Sequence, residues 1–147
     1  MARSRRRRHA PAGLSDLLVL DAEGVSKAAR DDSRVQLWLE RARELDADVV
    51  ISAVTLAEVV RGVARDAGVN RVVKATDVWP ADEVLARRAG RLLGNVSSDA
   101  TIDALVAATA VAGRQGHGAA HCVVLTSDPG DLRLLLADEP GVRVVAV

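Results

Sequence analysis

Leu17-Leu18-Val19-Leu20-Asp21 is a short aliphatic run closed by an acid, and its reading decides the fold. An unbroken apolar run of this length suits a strand buried on both faces. Two more runs repeat the pattern, Asp48-Val49-Val50-Ile51 and Cys122-Val123-Val124-Leu125, and residues 142–147 supply a last strand. Residues 71–78 mix Val72, Val73 and Val78 with polar residues and are read as containing another. Between these runs the apolar spacing turns helical. A first helix is expected over residues 22–30, with Gly24 weakening its start, and a second from a Ser33 cap to about Leu45. Ser52 or Thr55 caps a third, carrying Leu56, Val59, Val60 and Val63 and ending near Gly68. Pro80-Ala81-Asp82-Glu83 opens a fourth, because proline and acids suit a first turn. After a loop over residues 94–98, an alanine-rich helix covers residues 99–112, and residues 113–118 form a turn. A short helix takes residues 132–136. Strands alternating with helices imply one α/β domain, a mostly parallel sheet covered on both faces.

Composition narrows the chemistry. The chain has 147 residues, enough for one substantial core. Phe and Tyr are absent and only Trp38 and Trp79 are aromatic, so aliphatic side chains must build that core. The same lack argues against base-stacking platforms. The net charge of zero hides an asymmetry: Arg3, Arg5, Arg6, Arg7 and Arg8 crowd the start. Without those five, 15 basic residues face 20 acidic ones. A polyanion would therefore have to be attracted by metal ions or a local basic rim. The arginine run is a basic tail over residues 1–15, read either as a flexible, solvated start or as a contact for RNA or membrane. No apolar run reaches the length of a membrane span, and Cys122, the lone cysteine, reads as a core thiol in a reducing compartment. A cytoplasmic location is the expectation.

The acids at the ends of apolar runs carry the functional reading. Asp21 follows the first strand directly, and Asp128 follows Leu125 across Thr126-Ser127. In an open parallel sheet, ligands bind beyond the carboxyl ends of the strands. Glu58 lies on a helix beside its packing face. Asp103 sits early in a helix among Ile102, Ala104, Leu105 and Val106, where a carboxylate must shift its pKa, find hydrogen bonds or meet a cation. Asp99, earlier, suits a cap. His9, His117 and His121 make no zinc spacing, and there is no GxxxxGK[ST], GxSxG or GxGxxG motif. Clustered carboxylates suit Mg²⁺ or Mn²⁺.

Four segments together resemble the PIN domain, specifically the VapC-like ribonuclease toxins of type II toxin–antitoxin pairs. They are Leu18-Val19-Leu20-Asp21-Ala22, Ser52-Ala53-Val54-Thr55-Leu56-Ala57-Glu58-Val59-Val60-Arg61-Gly62, Ile102-Asp103-Ala104-Leu105-Val106-Ala107-Ala108, and Leu125-Thr126-Ser127-Asp128-Pro129-Gly130-Asp131-Leu132. The resemblance runs over residues 17–147 and rests on the order and spacing of the pieces. It implies a three-layer α/β/α sandwich over residues 16–147. It also implies an endoribonuclease in which Asp21, Glu58, Asp103 and Asp128 are catalytic and hold Mg²⁺ or Mn²⁺, activating water against an RNA phosphodiester. Asp131 would be an accessory metal ligand, and Thr126 would brace the site or contact phosphate. Arg61 is a candidate phosphate contact, as are Arg71 and Arg114. The implied partners are RNA, a cognate antitoxin and a second copy of the chain, with Leu37, Trp38, Val84, Leu85 and Leu92 as candidate apolar surface. A catalytically inactive PIN-like module binding RNA or protein is the alternative. Two features depart from the family pattern, the arginine tail and Glu23, which either joins an ion's shell or caps a helix.

Overall fold

The computed structural model describes residues 16–117 and 119–147; the expected basic tail lies outside the described residues. Five strands, β1 (Leu17–Leu20), β2 (Asp48–Ser52), β3 (Asp77–Trp79), β4 (Cys122–Thr126) and β5 (Val142–Ala146), form one sheet in the order β3-β2-β1-β4-β5. Every neighbouring pair is parallel. Because β1 is central, its side chains alternate into two cores. Leu17 and Val19 enter the core roofed by α5 (Glu83–Val96), α6 (Thr101–His117) and α7 (Pro129–Leu135). Leu18 and Leu20 enter the core under α1 (Ala22–Ala29), α2 (Ser33–Glu44) and α4 (Ala67–Ala75). The result is a three-layer α/β/α sandwich. Cys122 lies in the first of these cores, and burial pushes its thiol up to about 12, so it is an inert packing group.

Several local readings are corrected by contacts distant in sequence. The third helix, α3 (Ala53–Val59), does not run to Gly68. It breaks at Val60, Gly62 takes a φ of 74°, and a 3₁₀ turn over Ala64–Asp66 leads into α4. The buried carboxylate of Asp66 holds the break by accepting the backbone N–H groups of Arg61, Gly62 and Val63 at 2.8, 2.7 and 3.2 Å. Residues 71–75 are therefore helical, and the strand is confined to Asp77–Trp79. The alanine-rich helix does not stop before Gly113 but continues to His117. A Cβ at Gly113 would lie 2.1 Å from Cδ2 of Leu17, so this glycine lets α6 lie directly on β1.

The caps also shift. Asp32, not Ser33, caps α2, its carboxylate accepting from Arg34 and Val35 at 3.0 and 3.2 Å. Asp82 caps α5 through Leu85 at 2.9 Å, which leaves Pro80 ahead of the helix rather than in its first turn. Before α6 the Ser98 hydroxyl accepts from Ala100, while Asp99 offers only its carbonyl, to Thr101.

Candidate functional site

In the order β3-β2-β1-β4-β5, the chain moves to one side of β1 and later returns to the other. The crevice at such a reversal opens beyond the carboxyl ends of β1 and β4. Asp21 stands at the end of β1. Its Oδ1 accepts from the Gly24 N–H at 2.7 Å, which makes it the N-cap of α1. Gly24, read from sequence as a weak point, is required there: a Cβ would come 3.1 Å from the Leu125 carbonyl oxygen. Burial raises the pKa of Asp21. The Thr126 hydroxyl and the N–H groups of Gly24 and Glu23 oppose that rise, and the nearby charge of Glu23 adds to it. Glu23 is exposed in the first turn of α1, so the cap itself is Asp21.

Asp103 lies in the first turn of α6. Its pKa is raised first by burial and then by the charges of Asp131, Asp21 and Asp128. Glu58, exposed on α3, is raised by burial and by the charges of Asp21 and Asp103. Asp128 precedes α7 and does not cap it with its side chain; Asp131 lies in that helix's first turn. The Asp128 loop is tied to β4 by Thr126, whose hydroxyl accepts from the Asp128 N–H at 3.1 Å and donates to its carbonyl at 3.3 Å. Five acids from four separate segments therefore lie near the carboxyl edge, where Asp103 feels the charges of Asp21, Asp128 and Asp131, and Glu58 those of Asp21 and Asp103.

None of these five carboxylates pairs with Lys, Arg or His among the described residues. As they stand, no three His, Cys, Asp or Glu among the described residues are arranged to hold one ion. The donor chemistry nevertheless fits a hard divalent cation, because every ligand on offer is an oxygen and the uncompensated charge is negative. Among the described residues, His121 and Cys122 lie elsewhere. His121 contacts Asp16 at 3.2 Å at the amino end of the sheet, and Cys122 is in the core. A cavity of about 490 Å³, lined in part by Leu17, Trp38, Leu45 and Arg143, also lies at that opposite edge.

Of the arginines, Arg61 follows α3, with Nη1 on the carbonyls of Ala57 and Val60, both at 3.0 Å. Arg71 is occupied against Ala29 and Asp31, and Arg114 fills the space above Gly141, at the amino end of β5. Those two are removed from the acid edge, because α4 and the far end of α6 carry them elsewhere. Two fully buried hydroxyls escaped the sequence reading as anything but caps. Ser52 makes no side-chain capping bond, and neither Ser52 Oγ nor Thr55 Oγ1 has a partner.

A family model, the PIN domain, matches residues 18–133, a span that takes in all five acids. The chain belongs to the PIN domain family. No curated protein matches it. Among solved structures, this PIN domain is similar to a chain of VapBC2 from Rickettsia felis bound to a DNA fragment from their promoter. That match has a TM-score of 0.66 at 14% identity and covers 89% of this chain and 98% of the other. It is also similar to a chain of a toxin–antitoxin complex from Klebsiella pneumoniae, with a TM-score of 0.61 at 19% identity, covering 88% and 99%. At these identities the likeness is one of fold. Among the described residues no helix is long and apolar enough to cross a membrane.

Proposed function

We propose that this PIN domain is a divalent-cation-dependent endoribonuclease and the toxin of a toxin–antitoxin pair. The observation that carries the reading is the gathering of Asp21, Glu58, Asp103, Asp128 and Asp131 at the carboxyl edge, mutually repelling and without an ion-pair partner among the described residues. Carboxylates brought together at such a cost are stabilised by a cation. Asp21, Glu58, Asp103 and Asp128 would hold Mg²⁺ or Mn²⁺, with Asp131 as an accessory ligand. Such an ion supplies charge stabilisation at a phosphoryl centre and a more acidic bound water.

The chain's own residues set the geometry. Gly24 holds one oxygen of Asp21 and so fixes this carboxylate at the end of β1. Thr126 keeps the Asp128 loop against β4. Arg61 spends only Nη1 on the end of α3 and has its remaining donors for an RNA phosphate. An RNA pool incubated with Mg²⁺ should be cut by the wild type and left intact after chelation. Asp21→Asn and Asp103→Asn should each lower the rate by at least about 100-fold while remaining folded. Equal cleavage by wild type and both variants, with contaminating nuclease excluded, overturns the proposal. A wild type that binds RNA and Mn²⁺ yet cuts nothing supports the inactive binding module instead.

The antitoxin assignment is supported by the two toxin–antitoxin complexes of similar fold. The excess of acids in the body favours an inhibitor that presents a basic or apolar segment. A homodimer belongs to the same reading. Leu37 and Val84 are exposed large apolar side chains, 66% and 69% accessible, whereas Leu85 is buried and Trp38 and Leu92 are half-buried. Sedimentation showing a monomer throughout the micromolar range overturns the dimer alone.

A further inference from the structure

Three polar side chains lie in register across the carboxyl edge. Leu20 is aligned with Ile51 on one side and with Leu125 on the other. One residue further along, Ser52, Asp21 and Thr126 therefore form a row over β2, β1 and β4. Val50, Val19 and Val124, two residues earlier on each strand, all enter the core beneath α6. Asp21 and Ser52 keep extended backbone, and Thr126 is still in its strand, so the alternation carries all three side chains toward that same layer, which also bears Asp103.

The donors along this row are unevenly used. The Thr126 hydroxyl has one hydrogen and two acceptors within reach, the Asp128 carbonyl at 3.3 Å and the Asp21 carboxylate. On the other side of Asp21, Ser52 is wholly shut off from solvent and its hydroxyl has no partner. A hydroxyl that is both desolvated and unpaired is unfavourable, and alanine would occupy the same space without that cost. Asp21 meanwhile has one oxygen held by Gly24 at 2.7 Å, and its carboxylate is also within reach of the Thr126 hydroxyl and the Glu23 N–H.

We propose that Ser52 is a positioning residue of the acid site, its hydroxyl donating to the Asp21 carboxylate and fixing it when a divalent cation is ligated. The inference rests on the nuclease reading and assigns Ser52 no contact with substrate. Register favours it over Thr55, the other orphaned hydroxyl, which lies a turn along α3 and has no in-register neighbour.

The test is calorimetric titration of the full chain with Mn²⁺, alongside the ion-free thermal midpoint, for wild type, Ser52→Ala, Ser52→Thr and Asp103→Asn. Ser52→Ala should keep or raise the ion-free midpoint, because it removes an unpaired hydroxyl, yet bind Mn²⁺ about tenfold more weakly. Ser52→Thr, which keeps the donor, should recover affinity to within about twofold. Unchanged affinity in Ser52→Ala overturns the inference, as does a loss matched by a fallen midpoint. So does a folded Ser52→Thr that recovers nothing. A wild type that binds no Mn²⁺, or binds it equally well as Asp103→Asn, overturns the nuclease reading and this inference with it.

Discussion

Asp66 and the acids of the carboxyl edge are opposite cases of one linkage. Asp66 has its pKa lowered by the backbone N–H groups of Arg61, Val63 and Gly62, with burial opposing. A depressed folded pKa adds stability above the unfolded value, and that stability is lost as pH falls through the folded one. Asp66→Asn should thus lower the thermal midpoint at neutral pH, and the gap to wild type should close under acid. A gap that persists at low pH overturns the assignment. Asp21, Glu58 and Asp103 are raised, so each begins to destabilise the ion-free fold as pH rises past the ordinary carboxylate value and does so fully above its raised folded value. That penalty is relieved as pH falls through the raised values toward the ordinary carboxylate range. Ser97 is a simpler residue-scale case: it ends α5 in the left-handed region with φ of 52°. Ser97→Gly should stabilise the chain by about 0.5–1 kcal/mol in urea unfolding, the relief of side-chain strain outweighing the added freedom of the unfolded chain.

At the scale of elements, the approach of α6 to β1 sets where Asp103 sits. Gly113 makes that approach possible: a side chain there would meet Leu17 at 2.1 Å and the Trp79 ring at 3.4 Å. Leu17 is 4% exposed and packed in the core beneath α6. Gly113→Ala should therefore cost about 1–3 kcal/mol through overpacking, despite alanine's higher helix propensity. A variant as stable as wild type in denaturant unfolding would mean that α6 can slide on the sheet. Gly24 plays a similar part for α1, whose first turn touches the end of β4 and so couples Asp21 to the strand that leads to Asp128.

For the molecule as a whole, uncompensated negative charge at one edge predicts that a bound cation adds stability. Asp103 feels Asp131, Asp21 and Asp128 together, so Asp103→Asn should raise the ion-free thermal midpoint at neutral pH. Mn²⁺ should raise the wild-type midpoint, by an amount equivalent to about 2.7 kcal/mol at a hundred times the dissociation constant, and leave Asp103→Asn nearly unmoved. A midpoint of Asp103→Asn below wild type without metal would show that this carboxylate serves the fold and not a cation.

The acids and the strands that carry them are legible in the sequence because each strand is short, aliphatic and self-announcing, and because Asp21 and Asp128 follow such runs directly. Local pattern also places Asp103 among apolar neighbours, where a carboxylate stands out. What local pattern cannot supply is any property that depends on a partner distant in the chain. The break after α3 depends on one carboxylate, Asp66, gathering three N–H groups, and a hydrophobic periodicity that runs on through Val63 hides it. The length of α6 depends on a sheet residue filling the place of a missing Cβ, although glycine in sequence reads as a stop. Ser52 looks like a cap until strand register sets it beside Asp21 and burial leaves its hydroxyl without a partner. The sequence by itself determined which residues could be strands and which acids stood at their ends. Only the tertiary structure decided which groups share a face, since that follows from strand order and helix packing across long separations in the chain.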